Sequence, residues 1–146
     1  MTSHRLYTPE ELNFASANLG KYLHPYHNVL FVMNASFLLA NRVMNHLSSD
    51  CNILFYKPGV GTPPKPFKGS FAIVDLLFDT GATHDKLMKE YKTYNPDFFC
   101  LLSKSFDKVP FKFPPLPAPN AFLWGFGLDD RKGKRTNNLV IFYETL

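Results

Sequence analysis
The chain has 146 residues and a formal net charge of +4, enough for one domain with a real core and short for two. Two isolated cysteines, Cys51 and Cys100, exclude a disulfide framework or a zinc-finger pattern. No apolar run is long enough to span a membrane and no signal-peptide pattern opens the chain, so one domain over residues 1–146 in a reducing cytoplasm is expected.

Thr8-Pro9-Glu10-Glu11 predicts a helix start, with Leu12, Ala15, Leu19 and Tyr22 as its apolar stripe and His24-Pro25 as its end. Val29–Met33 reads as a buried strand. Asn34 can cap a second helix whose inner face carries Phe37, Ala40, Met44 and Leu47. Ile53–Tyr56 is a short strand, and Lys57 to Lys68 is a Pro- and Gly-rich loop.

The stretch from Phe71 to Thr83 organises the rest. Phe71–Phe78 is a continuous apolar run broken only by Asp75, which suits a strand buried on both faces of a parallel sheet. Asp79-Thr80-Gly81-Ala82-Thr83 then leads into an amphipathic helix carrying Leu87, Met88, Tyr91 and Tyr94, with Thr83 as its expected N-cap. Strand, small-residue turn and helix start together make a phosphate cradle, because free backbone N–H groups and the positive end of the helix dipole converge there. An ordinary strand-to-helix turn is the other reading. Asp-Thr-Gly also occurs in aspartic proteases, but the helical pattern behind Thr83 argues against an all-β protease.

Asn95-Pro96 stops the helix, Phe98–Leu102 is the next strand, and the proline-rich segment from Ser105 to Asn120 is expected to be irregular. Phe122–Phe126 and Leu139–Tyr143 close the chain as strands, joined by a basic loop from Arg131 to Arg135. Strands alternating with helices predict an α/β fold with a mostly parallel sheet.

The central stretch resembles the PRPP-binding motif of the phosphoribosyltransferases: four apolar residues, two acids, a short apolar spacer, then Asp-Thr-Gly-x-Thr. The likeness continues through Tyr94-Asn95-Pro96, Leu101-Leu102-Ser103-Lys104, Phe122-Leu123-Trp124-Gly125-Phe126-Gly127-Leu128-Asp129 and Arg135. It covers nearly the whole chain and is most similar to the hypoxanthine-guanine phosphoribosyltransferases, the 6-oxopurine branch of the type I fold. That resemblance implies helices flanking the sheet and a small hood region that holds the purine. The implied reaction joins hypoxanthine, guanine or xanthine to PRPP with Mg2+, giving a nucleoside 5′-monophosphate and pyrophosphate, in a dimer or tetramer.

Roles follow by position. Asp79 matches the general base for the proton at purine N7. Thr80, Gly81, Ala82 and Thr83 would hold the 5′-phosphate, and Asp75 would face the ribose hydroxyls and the metal. Lys104 would donate to the oxygen at purine C6, a choice that favours 6-oxo over 6-amino because an ammonium has donors only. Phe122 would stack on the purine and Leu123 would offer backbone groups to its edge. Asp129 would bind magnesium, and Arg135 would reach pyrophosphate with Asn34 and Ala35. Taken singly, Lys104 is a surface lysine, Phe122 a core aromatic, and Arg131, Lys132 and Lys134 solvated loop charges; His84 is expected to be exposed.

The chain also departs from the family. Asn34-Ala35-Ser36-Phe37 stands where the family has Lys-Gly-Gly or Lys-Gly-Ala before an aromatic, Leu76 stands for the second acid, and Lys57–Lys68 is a short, proline-stiffened counterpart of a longer mobile lid. A catalytically weak or inactive nucleotide-binding regulator with the same fold is therefore the alternative to an enzyme. A nucleic-acid-binding role would rest on the basic loop alone, without a reading motif, and neither nucleic acid nor membrane is an expected partner.

Overall fold
Strands and helices alternate from residue 2 to residue 56, and the computed structural model, which describes residues 2–134 and 139–145, gathers the strands into two sheets. The elements are β1 (Thr2–Tyr7), α1 (Pro9–Leu23), β2 (Asn28–Val32), α2 (Phe37–Val43), β3 (Asn52–Tyr56), β4 (Phe71–Phe78), α3 (Ala82–Glu90), β5 (Asp97–Ser103), β6 (Leu116–Pro117), β7 (Phe122–Trp124) and β8 (Ile141–Thr145). The main sheet is five-stranded and parallel in the order β3-β2-β4-β5-β6. The hood is a three-stranded antiparallel sheet in the order β1-β8-β7.

Two apolar layers explain the unbroken runs in the sequence. On one face of the sheet, Val29, Phe31, Val74, Leu76, Phe99 and Leu101 pack with Leu12, Leu19 and Leu23 of α1 and Leu39 and Val43 of α2. On the other, Leu30, Ile73, Phe98 and Cys100 pack with Leu87 of α3 and with Tyr91. A strand covered on both faces has no polar side, so no alternation is visible in β4.

α1 begins as expected. Thr8 Oγ1 accepts from the Glu11 N–H at 3.2 Å, and Glu11 Oε1 accepts from the Thr8 N–H at 3.0 Å, a complete capping box. Three local expectations are corrected. α2 has Ser36 rather than Asn34 at its N-cap position, without a side-chain capping bond, and buries Leu39, Ala40 and Val43, leaving Phe37 and Met44 exposed, because packing on α1 selects the more aliphatic face. α3 starts at Ala82 with Gly81 as its N-cap, so Thr83 lies inside the first turn. β1 and β6 were not expected as strands; β1 is largely exposed, and β6 lies within the proline-rich segment at the sheet edge, where a missing N–H is tolerated.

The order of the main sheet fixes where a ligand can go. From β2 the chain passes to β3 on one side, returns across β2 to β4, and continues to β5 and β6 on the other side. The loops leaving β2 and β4 therefore diverge, and a crevice opens at their carboxyl ends.

Candidate functional site
Two cavities open at that crevice. The smaller, about 60 Å³, is lined by Asp75 and by Asp79, Thr80, Gly81, Ala82 and Thr83 of the loop after β4. The larger, about 370 Å³, lies between the loop Met33–Ala35, Lys57 and Pro58 after β3, Thr83 of α3 and Leu128 of the hood. Asp75, Leu77 and Thr83 line both.

The loop after β4 is shaped by Gly81, whose φ of 92° lies in the left-handed region; a Cβ there would also meet the Phe78 ring at 3.0 Å. Thr80 Oγ1 accepts from the Ala82 N–H at 3.3 Å. The N-cap residue Gly81 has no side chain with which to cap α3, so apart from the Ala82 N–H taken by Thr80, the helix start keeps N–H groups for a ligand.

Asp79 stands at the loop entrance with its side chain 54% exposed, and its Oδ1 lies 3.1 Å from Lys104 Nζ. Lys104 is held close to that carboxylate: its N–H donates to the Phe78 carbonyl at 3.0 Å, and its side chain is only 12% exposed. A base-type carboxylate and a donor-only cation thus converge from the ends of adjacent strands.

Asp75 is the buried charge of the site. Its Oδ1 accepts from the Leu76 N–H at 2.7 Å. Burial pushes its carboxyl up to about 7, and the Leu76 N–H pulls the other way. The Ser36 hydroxyl beside it also lowers it, yet Ser36 Oγ makes no hydrogen bond of standard geometry among the described residues. Leu76, the next residue, points into the opposite layer and is fully buried against the helices. Its position is one of core, not of the crevice.

The hood meets the crevice through the turn after β7. Gly125 pairs with Leu128, and Phe126 is driven into the core with the Arg42 guanidinium 4.9 Å from its ring centre. Gly127 passes so close to the loop after β2 that a Cβ would lie 2.5 Å from the Ala35 carbonyl oxygen. This contact sets Leu128 at the larger cavity and puts exposed Asp129 next to it. The Met33–Asn34 peptide of that loop is cis.

The residues singled out from the sequence fall into three groups. Asp75, Asp79, Thr80, Gly81, Ala82, Thr83 and Lys104 come together at the carboxyl end of β4 and β5, and Asn34 and Ala35 face them across the crevice. Phe122 and Leu123 sit on the hood, Leu123 buried beneath it, and neither lines the two cavities. Arg135 lies outside the described residues. Arg131 is not a free loop charge: it pairs with Glu144, and its guanidinium stands 4.5 Å over the Phe122 ring. His84 was missed. It is tucked in at 16% exposure, edge-on to Phe78 and Phe98, with Nδ1 2.9 Å from Asp85, and it lines the smaller cavity. The signal for it in the sequence is its place in the first turn of α3, between Phe78 and Phe98 on neighbouring strands.

Among the described residues no three His, Cys, Asp or Glu side chains cluster as a metal cage, and no helix is long and apolar enough to cross a membrane. Magnesium needs no such cage, since it uses one or two carboxylates and keeps water and phosphate oxygens. A desolvated Asp75 carboxyl beside a buried, unpartnered hydroxyl fits a site completed by such a ligand.

No protein-family model and no curated protein matches the chain. Solved structures do. The HGPRT-ase of Leishmania tarentolae, in complex with GMP, superposes with a TM-score of 0.77 at 19% identity, covering 100% of this chain and 99% of that one. A hypoxanthine-guanine phosphoribosyltransferase of Bacillus anthracis, with a HEPES molecule in its active site, gives 0.77 at 21% identity over 97% and 98%. The hypoxanthine phosphoribosyltransferase of Trypanosoma cruzi, in complex with the product IMP, gives 0.71 at 23% identity over 95% and 88%. The chain has the type I phosphoribosyltransferase fold.

Proposed function
We propose that this protein is a purine-salvage phosphoribosyltransferase that converts hypoxanthine or guanine and PRPP to IMP or GMP and pyrophosphate. The observation that carries the reading is the Lys104–Asp79 pair, 3.1 Å apart at the mouth of a helix-start phosphate loop. A fold alone hosts many functions. This pair is specific, because it offers a donor to a 6-oxo oxygen and an acceptor to the neighbouring N7–H of the same base. The structural neighbours described with GMP or IMP support the same product class.

In the proposed reaction the purine N9 bonds to ribose C1′ as the bond from C1′ to the pyrophosphate oxygen breaks. Positive charge develops at the ribose, so positioning and charge stabilisation matter more than a strong nucleophile. The N–H groups of Thr80–Thr83 hold the 5′-phosphate at the start of α3. Asp79 accepts the proton that N7 releases as the base becomes substituted. Lys104 shifts its ammonium from Asp79 towards O6 as the base arrives. Asp75 accepts from the ribose hydroxyls, Phe122 stacks on the base and Leu123 contacts its edge. Asp129 and Asp75 would hold Mg2+, which when bound neutralises pyrophosphate charge, and Arg135 would reach the same oxygens. The alternative, a nucleotide-binding regulator without catalysis, has no comparable observation in its favour.

Incubation with PRPP, magnesium and each of hypoxanthine, guanine, xanthine and adenine tests the proposal. Nucleotide and pyrophosphate should form in equal amounts from hypoxanthine or guanine and not from adenine. Failure with every 6-oxopurine would refute it.

A further inference from the structure
Pyrophosphate concentrates negative charge, and the larger cavity, where the resemblance leads one to expect a lysine at position 34, has Asn34 instead. Of the residues that line this cavity one is a cation, Lys57. It follows β3 directly, and the strand register lays it alongside the loop: Val32 pairs with Tyr56, and the Met33 N–H donates to the Tyr56 carbonyl at 2.8 Å. Lys57 makes no ion pair with another described residue.

The arm that bears Lys57 is fixed. The Val60 N–H donates to the Lys57 carbonyl at 3.0 Å, with Pro58 and Gly59 (φ 85°) between them, the pattern of a type II turn. The Tyr56 hydroxyl donates to Glu90 at 2.8 Å. Farther on, the Tyr91 hydroxyl donates to the Pro64 carbonyl at 2.8 Å, and the Asn28 side chain bonds both the N–H and the carbonyl of Phe67, at 2.8 and 2.9 Å. A segment turned back on Lys57 and tied down at Pro64 and Phe67 is not a lid that waits for ligand. The backbone that carries Lys57 is already placed, so binding has only the exposed lysine side chain left to order.

We propose that Lys57 is the pyrophosphate-positioning cation of this site, supplied from the β3 arm in place of the lysine absent at position 34, so that PRPP is held without lid closure. This rests on the phosphoribosyl-transfer reading. The Arg131–Lys134 stretch is a poorer source, since Arg131 is engaged by Glu144 and Phe122, and the backbone of Lys132 and Lys134 is folded around the Asp130 carboxylate.

Calorimetric titration with magnesium pyrophosphate and, separately, with GMP tests it on the wild type, Lys57→Ala and Lys57→Ala/Asn34→Lys. Lys57→Ala should weaken pyrophosphate about tenfold or more, as for loss of a charge-assisted hydrogen bond, and leave GMP affinity within about twofold. Adding Asn34→Lys should recover part of the loss. Unchanged pyrophosphate affinity in Lys57→Ala would overturn the inference, as would an equal loss of GMP affinity, which would make Lys57 a support for the loops. A wild type that binds GMP but not pyrophosphate overturns this inference alone; one that binds neither overturns the proposed function with it.

Discussion

The two sides of the crevice are built by different means. On the β4 side, the site is made mostly of backbone: a strand end, a left-handed glycine and the start of α3, with two charged side chains set 3.1 Å apart at the entrance. On the β2–β3 side it is made of side chains on two loops, and here the chain carries Asn34 and a pinned arm where the resemblance leads one to expect a lysine and a mobile lid. Backbone-made contacts survive sequence change because every residue except proline supplies a main-chain N–H whatever its side chain. Side-chain contacts must be supplied again from another position when one is lost. On the proposed function, the contrast accounts for a site that keeps the expected motif on its β4 side and departs from it on its β2–β3 side.

The sharpest way to break this picture is at the β4 entrance. Asp79→Asn keeps the loop's shape and removes the carboxylate. Nucleotide formation should fall by about 10²–10⁴-fold, the usual contribution of an acid–base group, while the melting temperature changes little because the side chain is half exposed. Turnover equal to wild type would remove Asp79 from the chemistry.

Asp75 joins the two sides, and its burial should be visible as a pH effect on stability. The folded carboxyl titrates near 7 against a reference near 3.8, so the folded state binds the extra proton between those values. Stability is therefore lost as pH rises from about 4 to about 7 and stays lost above it. Asp75→Asn abolishes that loss: it should leave stability similar at pH 4 and raise it by up to about 4 kcal/mol at pH 8, while impairing PRPP use. Thermal melts of both proteins across that range check it, and parallel curves would contradict the assignment.

Leu76 is where sequence and structure part most clearly. The resemblance puts an acid at this position, which suggests that Leu76→Asp would enrich the site. The side chain is instead fully buried among α1 and α2 side chains, so Leu76→Asp should destabilise by about 3 kcal/mol, measured by denaturant unfolding, without improving PRPP use. Nothing in the apolar run from Phe71 to Phe78 reveals this, since a strand buried on both faces shows no period from which to read which way Leu76 points. The same run, with Asp79–Thr83 behind it, made the sheet's centre and the turn into α3 legible, and Thr8-Pro9-Glu10-Glu11 did so for α1. β1 was not legible. Its residues are mostly exposed, and its partner β8 lies at the far end of the chain, with Thr2 opposite Thr145. His84 and Lys57 were hidden for the same reason: their places depend on neighbours brought in by strand order, which local patterns do not carry.

The smallest expected effect sharpens the nucleotide side. Lys104→Gln exchanges a donor-only group for one that both donates and accepts. It should narrow any preference for GMP over AMP by about tenfold, within the cost of leaving a polar group unpaired, and leave the fold intact. A preference unchanged by this substitution would assign base choice to the hood.

Calorimetric titration of the wild-type protein with GMP and with AMP tests the central claim most directly. The account predicts one GMP per chain, bound at least ten times more tightly than AMP, because Lys104 beside Asp79 can satisfy a 6-oxo oxygen and not a 6-amino group. Equal affinity for the two nucleotides, or no binding of either, would contradict it.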